Sequence, residues 1–189
     1  GGERVRTLLA KCFPGGGGGL LLLNPNAGDL LPQRRWPLQR YIELARRLLE
    51  RYPQLCIGII GAPAEAATVQ AMATAVASPR CASLAGALSV VELPALFAQT
   101  RLLVSNDSGP AHVASLTQTP SLVLFGPETP LLYRPLGQAR ALRVGICRVL
   151  KKLRLEPSAC RVLLDGGLKA PVHFGEQKTI IRGDETELL

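Results

Sequence analysis

Residues 102–112 read LLVSNDSGPAH, an apolar run followed by a polar turn with a glycine and then by a helix-like segment. The apolar residues predict a short buried strand, and Pro110 suits the first turn of a helix, where no backbone N–H is needed. Outward-facing amides at the start of a helix attract phosphate, helped by the positive end of the helix dipole. The segment therefore indicates a site for a nucleotide or a phosphorylated sugar.

The same alternation of strand and helix extends on both sides of this segment. The predicted strands are residues 20–23, 55–60, 81–84, 101–104 and 121–125, and the predicted helices are residues 37–52, 64–77, 89–99 and 110–116. Continuously apolar strands in this rhythm are typical of a parallel sheet that is covered on both faces. We therefore predict an α/β fold, a Rossmann-like parallel sheet with helices on both faces. Ligands of such sheets bind at the carboxyl ends of the strands.

Three segments are expected along the chain. Residues 15–19 are all glycine and residues 1–14 show no stable pattern, so residues 1–19 are interpreted as a linker or the remnant of a missing N-terminal domain. The Rossmann-like domain is predicted over residues 20–137. Residues 138–189 have basic clusters and proline breaks but no sustained period, and they form a tail of uncertain structure.

Composition and charge exclude several classes of protein. Hydrophobic residues make up 47% of the chain, which argues against disorder throughout. No apolar run approaches the roughly 18 residues of a membrane helix. The five cysteines form no CxxC pair, which favours reduced thiols in a cytosolic protein over a disulfide framework or a zinc site. The net charge is +8, but residues 20–137 hold nine basic and seven acidic groups, so nucleic-acid binding is not favoured.

Two loops outside the opening segment carry candidate residues. Arg34 and Arg35 lie just before Trp36, where their guanidinium groups could neutralise a diphosphate. They could equally be solvated charges, with Trp36 serving as a hydrophobic staple. Glu65 follows the second strand and could accept the hydroxyls of a ribose, although taken alone it is better explained as a carboxylate in the first turn of a helix.

The segment after the fourth strand carries the densest group of polar residues. Gly109 would let a ligand approach the backbone, and the amides of Ala111 and His112 could face phosphate oxygens. Asp107 would accept hydrogen bonds from sugar hydroxyls or from the loop's own backbone. The simpler alternatives are a core histidine and a plain N-cap aspartate, but so many polar groups within six residues favour function. In residues 126–130, Glu128 or Thr129 could bind a sugar or base, and a simple turn is as good an explanation.

Taken together, four segments resemble family 9 glycosyltransferases, the bacterial heptosyltransferase-like enzymes of lipopolysaccharide assembly. They are NPNAG (24–28) with RRWP (34–37), GAPAE (61–65), NDSGPAH (106–112) and FGPETP (125–130). The resemblance implies the C-terminal, donor-binding half of a GT-B-type enzyme. That enzyme would be inverting and metal-independent, transferring a sugar such as heptose from a nucleotide-sugar to a lipopolysaccharide or related glycan acceptor. The alternatives are a non-catalytic nucleotide-sugar-binding module or inactive fragment, and an unrelated epimerase or dehydrogenase. The last lacks support because no GxGxxG follows the first strand.

The resemblance also implies which residues contact the donor. They are Asn26, Gly28, Arg34, Glu65, Asp107, Ser108, Gly109, Ala111 and His112. Within this set, Arg34 corresponds to the basic residue near the diphosphate and Glu65 to the ribose-binding carboxylate. The general base is expected in the absent N-terminal domain, so no catalytic residue is assigned to this chain.

The implied partners are small molecules and one protein. They are a nucleotide-sugar donor, with ADP-linked donors favoured, a lipid A-core or other glycan acceptor, and a separately encoded N-terminal half. No cofactor, metal or nucleic acid is expected. The expected location is the cytoplasm, including a peripheral position at the inner membrane.

Overall fold

A computed structural model describes residues 1–15, 18–28, 35–125, 135 and 139–143. The strands are β1 (Gly19–Asn24), β2 (Leu55–Ile59), β3 (Cys81–Ser83), β4 (Thr100–Asn106), β5 (Ser121–Phe125) and β6 (Ala139–Arg143). The α-helices are α1 (Gly2–Cys12), α2 (Leu38–Arg51), α3 (Ala66–Val76), α4 (Leu93–Phe97) and α5 (Gly109–Ala114), and 3-10 turns cover Pro63–Glu65 and Val90–Glu92. Every strand and helix predicted from the sequence has a counterpart among these elements.

The strands form one parallel sheet in the order β3-β2-β1-β4-β5-β6. Strands β1, β2 and β3 follow one another toward one edge of the sheet. The chain then returns, and β4 lies on the other side of β1. The strand order therefore reverses between β1 and β4, and such a reversal leaves a crevice at the carboxyl ends of the two strands.

Two hydrophobic clusters cover the two faces of the sheet. Alternate residues of β1 point to opposite sides, so Leu21 and Leu23 join the cluster under α2 and α3, while Leu20 and Leu22 join the cluster under α1 and α4. This arrangement confirms the predicted α/β, Rossmann-like parallel sheet with helices on both faces.

The end of α2 is held by a guanidinium group. Arg80 donates hydrogen bonds to the backbone carbonyls of Leu49 (2.8 Å), Tyr52 (3.0 Å) and Leu55 (3.1 Å). The last carbonyls of a helix have no partner within the helix, so this side chain satisfies groups that would otherwise need water.

The expectation that residues 1–14 lack a stable pattern is wrong, because α1 is a helix that packs on the domain. The Val5 side chain of α1 is fully buried against the domain, and Arg4 of α1 forms a salt bridge with Glu92 at 3.2 Å. Hydrogen bonds from the backbone and hydroxyl of Ser89 lower the pKa of Glu92 first, and the Arg4 charge lowers it further. The sequence carries the signal for this helix, because Val5, Leu8, Leu9 and Cys12 recur at helical spacing and pack against the cluster under α1 and α4.

The sheet begins and ends outside the bounds expected from the sequence. Gly19, the last residue of the glycine run, is the first residue of β1. β6 pairs with β5 beyond the boundary expected at residue 137. In the part of the chain that the structure describes, no helix is long and apolar enough to cross a membrane.

Candidate functional site

The candidate site lies at the carboxyl ends of β1 and β4. Asn24 is the last residue of β1 and Asn106 the last of β4, and the two strands are neighbours in the sheet. The chain then leaves β1 toward α2 on one face and leaves β4 toward α5 on the other. The two loops therefore diverge at this point and bound the crevice.

Buried polar side chains join the two loops. The carboxamide of Asn24 donates to the hydroxyls of Ser105 (2.9 Å) and Ser108 (2.8 Å). Both hydroxyls in turn lie within hydrogen-bonding distance of the Asn106 carbonyl, at 2.6 and 3.2 Å. Asn24, Ser105 and Asn106 are almost completely buried. Such groups cost free energy if left unpaired, so this set of bonds fixes where each loop begins.

The side chain of Asn106 makes the longest-range of these connections. Its Oδ1 accepts the backbone N–H of Trp36 and the hydroxyl of Tyr41, each at 3.0 Å, and its Nδ2 donates to the carbonyl of Pro25 at 2.7 Å. The Tyr41 hydroxyl is also 3.2 Å from the Asn24 carbonyl. Burial raises the pKa of Tyr41 well above its usual value, so the hydroxyl keeps its proton and donates.

Asn26 and Glu65 meet beside Gly61. The Asn26 side chain donates to the Ile60 carbonyl at 3.3 Å, and Glu65 Oε2 accepts the Ala62 N–H at 2.7 Å. A Cβ added to Gly61 would lie 2.9 Å from Asn26 Nδ2 and 3.2 Å from Glu65 Oε2. The Glu65 carboxylate thus has the local, turn-stabilising position that its sequence context favours. Its contact with a ribose stays a prediction.

The segment from Asp107 to Gly109 lies at the mouth of the crevice. Asp107 is buried, with its backbone N–H bonded to the Leu124 carbonyl at 3.1 Å. Ser108 is the N-cap of α5, so the alternative of Asp107 as a plain N-cap is wrong. Gly109 is exposed, and a Cβ added there would meet none of the described atoms within 4 Å. The Gly109 backbone is therefore open to a ligand.

One expectation about α5, an open amide at Ala111, and one alternative to function, a core histidine at His112, are wrong. Ala111 is fully buried and its amide donates to the Ser108 carbonyl at 3.0 Å, so that amide is not an unpaired phosphate donor. The first turn of this short helix closes with an i to i+3 bond, which uses the donor that a longer helix would leave open. His112 is exposed, so it is not a core histidine.

The loop after β1 is partly described. Gly28 has φ of +64° and no described atom within 4 Å of an added Cβ, and its carbonyl accepts a hydrogen bond from Arg35 at 2.6 Å. Trp36 is buried in the core and contacts the Tyr41 ring edge-on, with centroids 4.9 Å apart. Arg34 and the 126–130 segment with Glu128 and Thr129 lie outside the described residues. Within the described ranges, no group of three His, Cys, Asp or Glu side chains could hold a metal ion.

Sequence reasoning missed the residues that hold the site together. From the sequence, Asn24 and Asn106 are identified only within the motifs 24–28 and 106–112, and no local signal distinguishes Tyr41. The available signal was a run of buried-type strand residues ending in asparagine at both β1 and β4.

Comparisons with known proteins agree on one family. The sequence model described as glycosyltransferase family 9 (heptosyltransferase) matches residues 10–154. Lipopolysaccharide heptosyltransferase 2 of Salmonella typhimurium is 32% identical over 115 residues, covering 60% of this chain and 33% of the relative. The chain thus spans about one third of the length of this curated relative.

Solved structures show the same fold. The structure of E. coli ADP-heptose lps heptosyltransferase II superposes with a TM-score of 0.67 at 26% identity, covering 86% of this chain and 51% of that one. E. coli heptosyltransferase WaaC with ADP superposes with a TM-score of 0.62 at 20% identity, covering 82% of this chain and 48% of that one. At that lower identity, the second likeness supports the fold alone.

Proposed function

Because the chain belongs to glycosyltransferase family 9 (heptosyltransferase), we propose that it provides the donor site for transfer of heptose from a nucleotide-sugar to a lipopolysaccharide acceptor. The observation that carries this proposal is the convergence of three matched segments, 24–28, 61–65 and 106–112, on one edge of the sheet. Each segment follows a strand of the parallel sheet, and the strand order places β1 between β2 and β4, so the three segments are neighbours at that edge. The crevice between β1 and β4 is the place where sheets of this type bind nucleotides.

The donor is an ADP-linked heptose in this proposal. Support comes from the E. coli enzyme whose title names ADP-heptose and which shares 26% identity with this chain. Glu65 and Asn26, which meet beside Gly61, would face the ribose. The open backbone at Gly109 and the exposed His112 would face the diphosphate and donor sugar, with Gly28, Asp107 and Ser108 lining the same crevice. We keep Arg34 as the basic residue for the diphosphate.

The reaction is an inverting displacement that uses no metal. The bond between the anomeric carbon and the diphosphate oxygen breaks as an acceptor hydroxyl attacks from the opposite face, and the acceptor's proton passes to a general base. Charge then develops on the departing diphosphate. Donors at the Gly109 backbone and on Arg34 would stabilise that charge more in the transition state than in the ground state, which is the requirement for lowering the barrier.

The general base and the acceptor site belong to an N-terminal acceptor-binding domain, which we propose as a covalent or separately encoded partner of this chain. The acceptor is the lipid A-core or a related glycan. Such an acceptor is anchored in a membrane, so the working enzyme would act in the cytoplasm and at the inner membrane surface.

Isothermal titration of the chain with ADP, UDP and GDP tests the donor site. We expect ADP to bind most tightly, and failure to bind any of the three nucleotides would overturn the proposal. A second candidate function is a nucleotide-sugar-binding module without catalysis, because no residue of this chain is assigned as the general base. A transfer assay with labelled ADP-heptose, with and without an N-terminal half, separates the two. Transfer supports the enzyme, and binding without transfer in either mixture supports the module.

A further inference from the structure

The carboxamide of Asn106 holds both ends of the connection between β1 and α2. Pro25 directly follows β1, and Trp36 lies two residues before α2 begins. Asn106 Nδ2 donates to the Pro25 carbonyl at 2.7 Å, and Asn106 Oδ1 accepts the Trp36 N–H at 3.0 Å. A carboxamide suits this task because one of its ends donates while the other accepts.

Two backbone groups set the orientation of that carboxamide. The Trp36 N–H can only donate and the Pro25 carbonyl can only accept, so a flipped amide would leave both without a partner. The Tyr41 hydroxyl lies 3.0 Å from Asn106 Oδ1 and adds a second hydrogen bond to the side chain in this orientation.

Asn106 also directly precedes Asp107, Ser108 and Gly109 in the chain. The same side chain that fixes the ends of the β1–α2 connection is thus one peptide bond from the segment proposed to contact the donor. Asn24 adds a second link between the two loops through its 2.8 Å bond to Ser108. A change at Asn106 would shift both sides of the crevice relative to each other.

The hydrogen bonds of Asn106 are better suited to positioning the loops than to stabilising the fold. Buried hydrogen bonds contribute little net free energy of folding, and apolar side chains of similar volume can often replace them without loss. What such bonds provide is direction, because each one holds only at a narrow range of distance and angle.

We propose that Asn106 is a positioning residue for the donor site, with Tyr41 helping to hold the orientation of its carboxamide, and that the two together set the spacing between Gly28 and Gly109 on which nucleotide affinity depends. This inference rests on the proposed donor-site function. Neither side chain contacts the nucleotide in this account, and their effect passes through the loops they hold.

The test compares Tyr41→Phe with Ile42→Val in the full chain. The first removes one hydroxyl and leaves the ring in the core, and the second trims a buried methyl group on the same helix without touching the polar contacts. We expect Tyr41→Phe to weaken ADP binding by about three- to tenfold, the range for loss of one hydrogen bond. Ile42→Val should stay within about twofold of the wild type. Urea denaturation shows that both variants are folded under the assay conditions.

Trp36, the single tryptophan of the chain, gives a local readout. Its backbone is bound to Asn106 and its ring contacts Tyr41, so its exposure reports on this connection. We expect Tyr41→Phe to increase acrylamide quenching of Trp36 fluorescence, and saturating ADP to reverse the increase. A general loss of stability would raise quenching in Ile42→Val as well.

A double-mutant cycle shows whether Tyr41 acts through Asn106. Adding Tyr41→Phe to Asn106→Ala should change ADP affinity no further, because the group that it orients is already gone. If Asn106→Ala does not fold, the Tyr41→Phe comparison and its quenching decide alone. Wild-type binding with equal effects of Tyr41→Phe and Ile42→Val would overturn this inference and leave the donor site intact. Failure of the wild type to bind ADP would overturn both.

Discussion

Replacing Gly109 with alanine should raise the stability of the chain and lower its affinity for ADP. The two effects have opposite signs because the space beside Gly109 holds no described atom but is needed by the ligand. Gly109 is the first residue of α5, its φ is not positive, and a Cβ placed on it meets no described atom within 4 Å. The fold therefore accommodates the methyl group, whereas a ligand against the Gly109 backbone does not.

The stability effect comes from the unfolded chain. Alanine has less backbone freedom than glycine to lose on folding, which is worth about 0.4–1 kcal/mol where the native conformation suits both residues. For a domain of this size, a change of that order raises the melting temperature by about 1–4 °C. Differential scanning calorimetry without ligand measures this shift.

The affinity effect comes from the space that the methyl group takes. Moving a charged diphosphate oxygen away from one N–H donor costs about 1.5–3 kcal/mol, which corresponds to a tenfold or greater loss of affinity. Isothermal titration with ADP measures it. Gly15→Ala is the matched control, because an added Cβ at Gly15 also meets no described atom within 4 Å and Gly15 precedes β1, whose other end borders the crevice.

The reasoning would be refuted if Gly109→Ala bound ADP within about twofold of the wild type while its melting temperature rose as expected. The methyl group would then be present and harmless, so no diphosphate could lie against this backbone. A lower melting temperature of Gly109→Ala would refute the prediction on stability, since it would mean that other atoms pack against Gly109.

The remaining predictions concern the supports of the site and of the helices. Gly61→Ala should destabilise the chain by about 1–3 kcal/mol in urea denaturation, because the new Cβ would lie 3.0 Å from Cγ2 of the buried Val69. It should also weaken ADP binding, because the Asn26 side chain, 2.9 Å from the new Cβ, would have to move. The folded state lowers the pKa of Glu92, chiefly through hydrogen bonds from Ser89. The contribution of Glu92 to the unfolding free energy is therefore present above the usual pKa of glutamate and is lost as the pH falls below it. Glu92→Gln should therefore flatten the acid side of a plot of unfolding free energy against pH. Arg80→Met should cost about 1–3 kcal/mol of stability, because the Arg80 guanidinium joins the end of α2 to the start of β2 through the carbonyls of Leu49, Tyr52 and Leu55.

Each of these predictions has its own control. Gly15→Ala again serves Gly61→Ala, and equal stability of the two would contradict the close contact. A Glu92→Gln variant with the same acid sensitivity as the wild type would show that the carboxylate is not paired as described. Arg47→Met removes an exposed side chain that pairs only with Glu43 on the same helix, so it should cost under about 0.5 kcal/mol. A comparable loss in both arginine variants would contradict the capping role of Arg80.

The local pattern of the sequence was sufficient for the elements and for the type of sheet. Apolar residues at helical spacing predict α2, and continuous apolar runs predict β1 to β5, because these patterns reflect which faces of an element are buried. α1 and β6 escaped this reasoning. α1 has apolar residues at helical spacing (5, 8, 9 and 12), but they stand beside a glycine run. The five residues of β6, ARALR, include two arginines and show no regular alternation.

The candidate site could likewise be predicted from the sequence only in part. Its loops could be placed on one edge of the sheet from their positions after predicted strands, and Gly109 could be identified as a point of close approach. The paired amide of Ala111 could not be foreseen, because it depends on how tightly a short helix closes its first turn.

By itself, the sequence determined a parallel α/β sheet and the motifs that belong to family 9, since both are written in local patterns. Only the tertiary structure decided that Asn106 meets Pro25 and Trp36, which precede it by 81 and 70 residues. The physical reason is that these bonds require β4 to lie beside β1. That order of strands results from the packing of the whole sheet, and no local period of the sequence encodes it.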